Sequence, residues 1–154
     1  MQQARSGTRL NQSSRVSPAA TNILLTEDQP EVQSIARAIL TRHGYTVLPA
    51  ASGEEALRIL GEHPDRPIHV LLTDVVMPSM SGPDLARRVR SSRPEVAVLY
   101  MSGYTDDAIV RQGVLEAGVA FIQKPFTPDG LLRRIRDVLN TQRSPLNSFR
   151  GEAQ

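Results

Sequence analysis

Five short apolar runs alternate with amphipathic segments through the middle of this 154-residue chain. The runs are rich in Val, Ile and Leu and are nearly continuous, as expected for strands buried on both faces of a parallel sheet. They lie at residues 23–26, 45–48, 68–73, 96–101 and 119–122. This alternation predicts an α/β domain with a parallel sheet and right-handed crossovers.

The segments between the runs repeat their apolar residues at the helical period of 3.6. The first helix is predicted to begin near Pro30 and to end before Gly44, while Asp28 and Ser52 are placed to cap the first and second helices. The apolar positions of the five predicted helices are Val32, Ile35, Ala36, Ile39 and Leu40; Ala56, Leu57 and Leu60; Leu85, Ala86 and Val89; Ile109, Val110, Val114 and Leu115; and Leu131, Leu132, Ile135, Val138 and Leu139.

One domain, residues 22–142, is predicted from this pattern. Residues 1–21 are rich in Ser, Gln, Asn and Arg and are expected to be a flexible leader or linker, and residues 143–154 a flexible tail.

The chain has no Cys, which excludes disulfides and thiolate zinc sites. No apolar run approaches the roughly 20 residues of a membrane helix. We therefore expect a cytoplasmic domain with no membrane contact in this segment.

The basic character of the chain belongs to its ends. The formal net charge is +2, yet residues 23–140 hold 13 basic and 15 acidic residues. With no Trp, three Tyr and three Phe, the chain also lacks an aromatic platform on which bases could stack. We expect no binding of nucleic acid by the folded domain.

Charged and hydroxyl side chains follow the predicted strands, at the edge where an open parallel sheet binds its ligands. Lys124 is the only Lys in the chain, beside 17 Arg. The residues concerned are Glu27 and Asp28 after the first strand, Asp74 after the third, Ser102 and Tyr104 after the fourth, and Lys124 after the fifth. The sequence therefore predicts one site assembled from residues almost a hundred positions apart.

Carboxylates placed together repel one another unless a cation joins them. Oxygen ligands without Cys or His favour Mg²⁺, and we expect Asp28, Asp74 and the Val76 backbone carbonyl to bind it directly, with Glu27 acting through water. Mg²⁺, the Lys124 ammonium and the Ser102 hydroxyl would each contact a different oxygen of a phosphoryl group. Asp74 could then act as nucleophile and form an aspartyl phosphate.

Four segments, ILLTEDQPEV, LLTDVVMPSMSG, VLYMSGYTDD and FIQKPF, also carry a family resemblance. In this order and spacing they resemble the receiver domain of two-component response regulators, over about residues 22–140. The amino-acid sequences of these segments are most similar to those of receivers of hybrid sensor histidine kinases. The resemblance implies a flavodoxin-like, doubly wound (βα)5 sheet of strand order 2-1-3-4-5, phosphorylated on an Asp by a partner's phosphohistidine.

The resemblance also implies roles for individual residues. Asp74 is the phospho-acceptor, Asp28 with Glu27 the acidic metal pair, and Lys124 the lysine of the family's site. Ser102 is the switch hydroxyl and Phe121 the switch aromatic; we hypothesise that Tyr104 moves with Phe121. A cis peptide is implied between Lys124 and Pro125, and Gly82 fits the glycine after the Met-Pro turn.

The implied partners are a histidine kinase or a histidine phosphotransfer protein. An output partner is expected at the face shared by the predicted fourth helix, the fifth strand and the last helix. The domain is not expected to be a free-standing enzyme, although it would assist its own phosphorylation and dephosphorylation. A free regulator and a receiver of a hybrid kinase both fit; in the second case the parent chain would be a histidine kinase.

Two other functions stay open at this point. A phosphate-independent docking module would share the fold without the phosphorylation. An aspartate-nucleophile phosphatase or phosphotransferase fits Asp74, but such enzymes typically carry a second acid two residues on, where this chain has Val76. A nucleotide- or flavin-binding domain is disfavoured because the turn after the first strand is acidic rather than glycine-rich.

Overall fold

The structure, a computed structural model, describes residues 21–103 and 119–143. Within these ranges strands and helices alternate along the chain. The strands are β1 (Asn22–Thr26), β2 (Thr46–Ala50), β3 (Val70–Asp74), β4 (Ala97–Ser102) and β5 (Ala120–Gln123). The helices are α1 (Pro30–Arg42), α2 (Gly53–Glu62), α3 (Gly82–Ser92) and α4 (Pro128–Arg143). The predicted fourth helix, around residues 109–115, lies outside the described residues.

The five strands form one parallel sheet in the order β2-β1-β3-β4-β5. This is the predicted order 2-1-3-4-5. Apolar residues of α1 and α4 pack in a cluster with Ile23 and Leu25 of β1, whereas those of α2 and α3 pack in a second cluster with Leu24. Because neighbouring residues of a strand point to opposite faces, the described helices cover both sides of the sheet. The flavodoxin-like, doubly wound α/β fold is confirmed.

The second strand is longer than its apolar run predicts. The sequence places it at residues 45–48, before Pro49, but the structure pairs Leu25 with Pro49 and Thr26 with Ala50. β2 lies at the end of the sheet order, and an edge strand tolerates proline because one side of its backbone needs no ladder bond. The extension brings the carboxyl end of β2 beside Glu27, whose N–H donates to the Ala50 carbonyl at 3.0 Å.

The helix boundaries follow local signals. Pro30 stands in the first turn of α1, and Gly44, with φ 94°, follows its C-cap. Ser52 caps α2 as predicted, accepting from the Glu55 N–H at 3.0 Å. The prediction that Asp28 caps α1 is wrong: Gln29 is the N-cap residue and its side chain makes no capping bond.

Most residues of the four described apolar stripes are buried or half-buried. The five predicted residues of the last helix are all buried, namely Leu131, Leu132, Ile135, Val138 and Leu139. In α1, however, only Ala36 and Leu40 are buried, and Ile35 is 55% exposed. Ile35 therefore belongs to the surface near the carboxyl edge of the sheet.

Among the described residues, we find no helix that combines the length and apolarity needed to cross a membrane.

Candidate functional site

Two acidic residues follow β1 at the carboxyl edge of the sheet. Glu27 is almost fully buried, and its Oε2 accepts a hydrogen bond at 3.0 Å from the backbone N–H of Gln29. Asp28, the next residue, is exposed. The turn therefore fixes one carboxylate in the interior and presents the next one to solvent.

Asp74 ends β3 and is 3% exposed. Its Oδ1 accepts a hydrogen bond at 2.7 Å from the ammonium of Lys124. Lys124 directly follows β5, and its backbone N–H donates to the Ser102 carbonyl at 2.8 Å. The Lys124–Pro125 peptide bond is cis. Three strand ends are thus joined at this point of the sheet.

The three carboxylates converge. One oxygen from each of Glu27, Asp28 and Asp74 can be chosen so that all lie within 4.8 Å of one another. Lys124 Nζ lies 3.5 Å from Glu27 Oε1, an ion pair longer than its bond to Asp74. Within the described part of the chain, Glu27 Oε1 is buried and has no hydrogen-bond partner. A buried carboxylate oxygen whose only described partner is an ammonium 3.5 Å away is incompletely paired and costly, which makes the three carboxylates suited to bind a cation.

The pKa values of Asp74 and Lys124 are both shifted by their surroundings. Desolvation, with the Glu27 carboxylate acting in the same direction, raises the pKa of Asp74 to about 8, although the Lys124 ammonium opposes the shift. Burial by itself would lower the pKa of Lys124, but the Asp74 and Glu27 carboxylates outweigh it and raise that pKa. The lysine is therefore charged at neutral pH, and Asp74 gives up its proton at a much higher pH than an ordinary aspartate.

A cavity of about 470 Å³ opens onto these side chains. Asp28, Asp74 and Lys124 contribute its charged lining. Val32, Ile35 and Val76 contribute apolar lining, and Ile35 and Val76 are among the exposed large hydrophobic residues of the described surface. The acidic group is therefore reachable from solvent through a partly apolar opening.

The turn after β3 holds Asp74 by close backbone packing. The Val75 N–H donates to the Met101 carbonyl at 3.0 Å, and the Gly82 N–H donates to the Val75 carbonyl at 2.8 Å. A Cβ on Gly82 would collide with the Asp74 carbonyl oxygen. Ser81 caps α3 by accepting from the Asp84 N–H at 3.2 Å. Glycine at position 82 thus lets the start of α3 approach the end of β3.

A family model of the response regulator receiver domain matches residues 23–136. The chain belongs to this family.

This receiver domain is 37% identical over 123 residues to the sensor kinase CckA of Brucella abortus, an alignment that covers 80% of this chain and 13% of that protein. It is 32% identical over 128 residues to the hydrogenase transcriptional regulatory protein HoxA of Cupriavidus necator, which covers 82% of this chain and 26% of that protein. The chain therefore spans a minor part of the length of these curated relatives.

Solved structures agree with the fold. The crystal structure of the receiver domain from the hybrid histidine kinase CckA has a TM-score of 0.63 at 36% identity, covering 77% of this chain and 98% of that chain. A receiver domain protein from Clostridium thermocellum has a TM-score of 0.69 at 30% identity, covering 79% of this chain and 96% of that chain. The similarity to receivers of hybrid kinases is therefore found in sequence and in structure.

The residues that the sequence assigns to a switch lie in β4 and β5. Ser102 ends β4 and is buried, with a long hydroxyl bond of 3.4 Å to the Gly103 carbonyl. Phe121 lies in β5 and is 36% exposed. Tyr104 lies outside the described residues. Neither Ser102 nor Phe121 is among the described residues that line the cavity of this receiver domain.

One polar contact of the site was not predicted from the sequence. Gln33 of α1 is half-buried, and its amide donates to the backbone carbonyls of Glu27, at 3.2 Å, and Ala50, at 3.0 Å. The only signal in the sequence is a polar residue one turn into α1, four positions after Gln29. That spacing does not say which face of the helix meets the acidic turn, so the contact needed the tertiary structure.

Proposed function

We propose that this receiver domain accepts a phosphoryl group on Asp74 from the phosphohistidine of a histidine kinase or of a histidine phosphotransfer protein. The observation that carries the proposal is the bond of 2.7 Å between Lys124 Nζ and Asp74 Oδ1, beside two further carboxylates and below an open cavity. A carboxylate nucleophile next to a fixed cation is the arrangement that phosphoryl transfer requires.

The cofactor in this proposal is Mg²⁺. The donor set fits the ion, because it consists of carboxylate oxygens and includes Glu27 Oε1, which is buried without a hydrogen-bond partner among the described residues. Asp28, Asp74 and the Val76 carbonyl would hold the ion directly, and Glu27 through water. When bound, Mg²⁺ neutralises the carboxylates and one oxygen of the incoming phosphoryl group.

Asp74, Lys124 and Ser102 each have a separate role in the proposed phosphoryl transfer. An ionised Asp74 oxygen attacks the phosphorus, so that a P–O bond forms while the P–N bond to the donor histidine breaks. The released imidazole keeps the electron pair of that bond and takes up a proton. Lys124 stabilises the negative charge of the phosphoryl oxygens and the Ser102 hydroxyl contacts another of them, whereas no general base is needed because Asp74 attacks as a carboxylate.

The output of the phosphorylation is proposed to pass through Ser102 and Phe121. Ser102 and Gln123 are paired in the register of β4 and β5, and Phe121 stands two residues before Gln123. Movement of the Ser102 hydroxyl towards a phosphoryl group would open space into which Phe121 turns, together with Tyr104. The face formed by the helix predicted around residues 109–115, by β5 and by the last helix, α4, would then change its affinity for an output partner.

The setting of the domain is part of the proposal. The similarity to CckA favours a receiver of a hybrid histidine kinase, in which case the parent chain is the enzyme and this domain is not an enzyme by itself. We propose residues 22–142 as the domain, together with Thr21, which is buried and accepts from the Thr46 N–H at 3.0 Å, and Arg143, the last residue of α4. We also propose a cytoplasmic location.

Intact-mass spectrometry after incubation with Mg²⁺ and acetyl phosphate tests the proposal. We expect one added phosphoryl group in the wild-type chain and in Asp137→Asn, a matched change at an exposed acid of α4. We expect none in Asp74→Asn or in the presence of a chelator. An adduct that survives Asp74→Asn would contradict the assignment of the acceptor. No adduct with acetyl phosphate or with a phosphorylated histidine donor would favour a phosphate-independent docking module.

A further inference from the structure

Gln33 stands on the first turn of α1, where its side chain spans the ends of two strands. Its Nε2 donates to the carbonyl of Glu27 at 3.2 Å and to that of Ala50 at 3.0 Å. Ala50 is the last residue of β2, and Glu27 is the first residue after β1. A single amide group thus joins the helix to both strand ends.

The Glu27 backbone is held on both sides by these bonds. Its N–H donates to the Ala50 carbonyl at 3.0 Å, while its own carbonyl accepts from Gln33. The Gln29 N–H donates to the Glu27 carboxylate at 3.0 Å and fixes its orientation. Position and orientation of the acidic turn are therefore set by hydrogen bonds that do not involve the other carboxylates.

Such a restraint matters because a cation needs the three carboxylates to stay together. Glu27, Asp28 and Asp74 place oxygens within 4.8 Å of one another, and a shift of the Glu27–Asp28 turn away from β3 would separate them. The turn belongs to the β1 edge of the site, whereas Asp74 is anchored within β3. A bond from α1 to the carbonyl of Glu27 opposes that movement.

We propose that Gln33 is a positioning residue that holds the Glu27–Asp28 turn in place for cation binding. This inference rests on the proposed function, since it concerns the same Mg²⁺ site. Gln33 acts through the backbone of Glu27 and Ala50, so that the ligands are arranged before the ion arrives. Outer-shell bonds of this kind orient metal ligands and contribute to affinity.

The test compares Mg²⁺ affinity in the full chain by calorimetric titration. We expect Gln33→Met, which keeps the length of the side chain but removes the donor, to weaken Mg²⁺ binding roughly tenfold. Gln33→Asn, whose amide is one methylene shorter, should weaken it in the same direction. Arg37→Met, a matched change at an exposed residue one turn later in α1, should leave the affinity unchanged.

A purely structural role gives a different result. The denaturation midpoint in a chelator would then fall in Gln33→Met, but the folded protein would bind Mg²⁺ as the wild type does, which would overturn the inference. If the wild type binds Mg²⁺ and acquires a phosphoryl group on Asp74 while both Gln33 variants bind the ion equally well, the proposed function stands and only the inference fails. If the wild type binds no Mg²⁺, the metal site of the proposed function fails, and the inference falls with it.

Discussion

The ammonium of Lys124 lies 2.7 Å from Oδ1 of Asp74, although the two residues are 50 positions apart in the chain. The parallel order of the sheet produces this contact, because β4 lies between β3 and β5 and all three strands end at the same edge. Asp74 ends β3 and Lys124 follows β5. Lys124 also lies 3.5 Å from Glu27 Oε1, so it pairs with both buried carboxylates of the site.

Lys124 offers a direct chemical readout because it is the only Lys in the chain. Asp74 and Glu27 raise its pKa against the effect of burial, so Asp74→Asn should lower that pKa. At pH 8 the variant would hold more neutral amine and react faster with an acylating reagent, roughly tenfold for each unit of pKa lowered. Peptide mapping separates this product from that of the terminal amine. Asp137→Asn should label at the wild-type rate, and equal rates for Asp74→Asn would contradict the pairing.

The stability of the folded domain without metal should depend on pH, because the pKa of Asp74 is raised in the folded state. Its pKa is raised from 3.8 to about 8, first by burial and then by Glu27, so the folded state binds the proton more tightly than the unfolded state. The contribution to stability is therefore complete below about pH 4 and is lost as the pH rises towards 8. Urea denaturation in a chelator should show this decline in the wild type, and a smaller decline in Asp74→Asn. Equal slopes in the two proteins would count against the shifted pKa.

Mg²⁺ affinity should change with pH in the opposite direction. Binding requires the ionised carboxylate, so the ion must displace the proton from Asp74. We expect the affinity to rise by up to roughly tenfold per pH unit below about pH 8 and to level off above it. Titration calorimetry in two buffers of different ionisation enthalpy measures the released proton. An affinity that does not change between about pH 6 and about pH 8 would contradict the prediction.

Gly82 should be intolerant of a side chain. A Cβ there would collide with the Asp74 carbonyl oxygen and lie 3.2 Å from Val75 Cα, both of them backbone atoms. We expect Gly82→Ala to lower the free energy of unfolding by about 1–3 kcal/mol and to slow phosphorylation of Asp74. Gly61→Ala is the matched control, because a Cβ in that part of α2 meets nothing within 4 Å; it should stabilise by roughly 0.5–1 kcal/mol. Urea titration of both variants decides the matter, and similar effects would argue against the steric explanation.

Arg93, at the end of α3, should stabilise the contact between that helix and the segment that follows α2. Its guanidinium donates to the His63 carbonyl at 2.9 Å and to the carbonyl of Arg66, just beyond the end of α2. We expect Arg93→Met to lower the free energy of unfolding by about 0.5–1.5 kcal/mol, because those carbonyls exchange a charged donor for water. Arg90→Met, at an exposed arginine of α3, should change it by less than about 0.5 kcal/mol. Phosphorylation of Asp74 should be normal in both variants when they are folded.

The sequence predicted much of this molecule because several signals act locally. Continuous apolar runs mark strands covered on both faces, and Ser52 caps α2 through a residue three positions away. Asp74 and Lys124 were identified from their places after strands, together with the segments that carry the family resemblance. The alternation of runs and helices predicted a parallel sheet with right-handed crossovers, whereas its strand order was implied by the family resemblance.

The exposure of a side chain and its contacts with other elements depend on distances between those elements, which no local sequence pattern records. Ile35 fits the apolar period of α1 yet is 55% exposed, because the sheet and α4 cover the side of the helix that bears Ala36 and Leu40. Gln33 reaches Glu27 and Ala50 only because α1 packs against the ends of β1 and β2. The sequence by itself determined the order of the elements and the residues at their ends, since these follow from spacing along one segment. The tertiary structure decided which of those residues touch, because a side-chain contact is fixed by the packing of whole elements against one another.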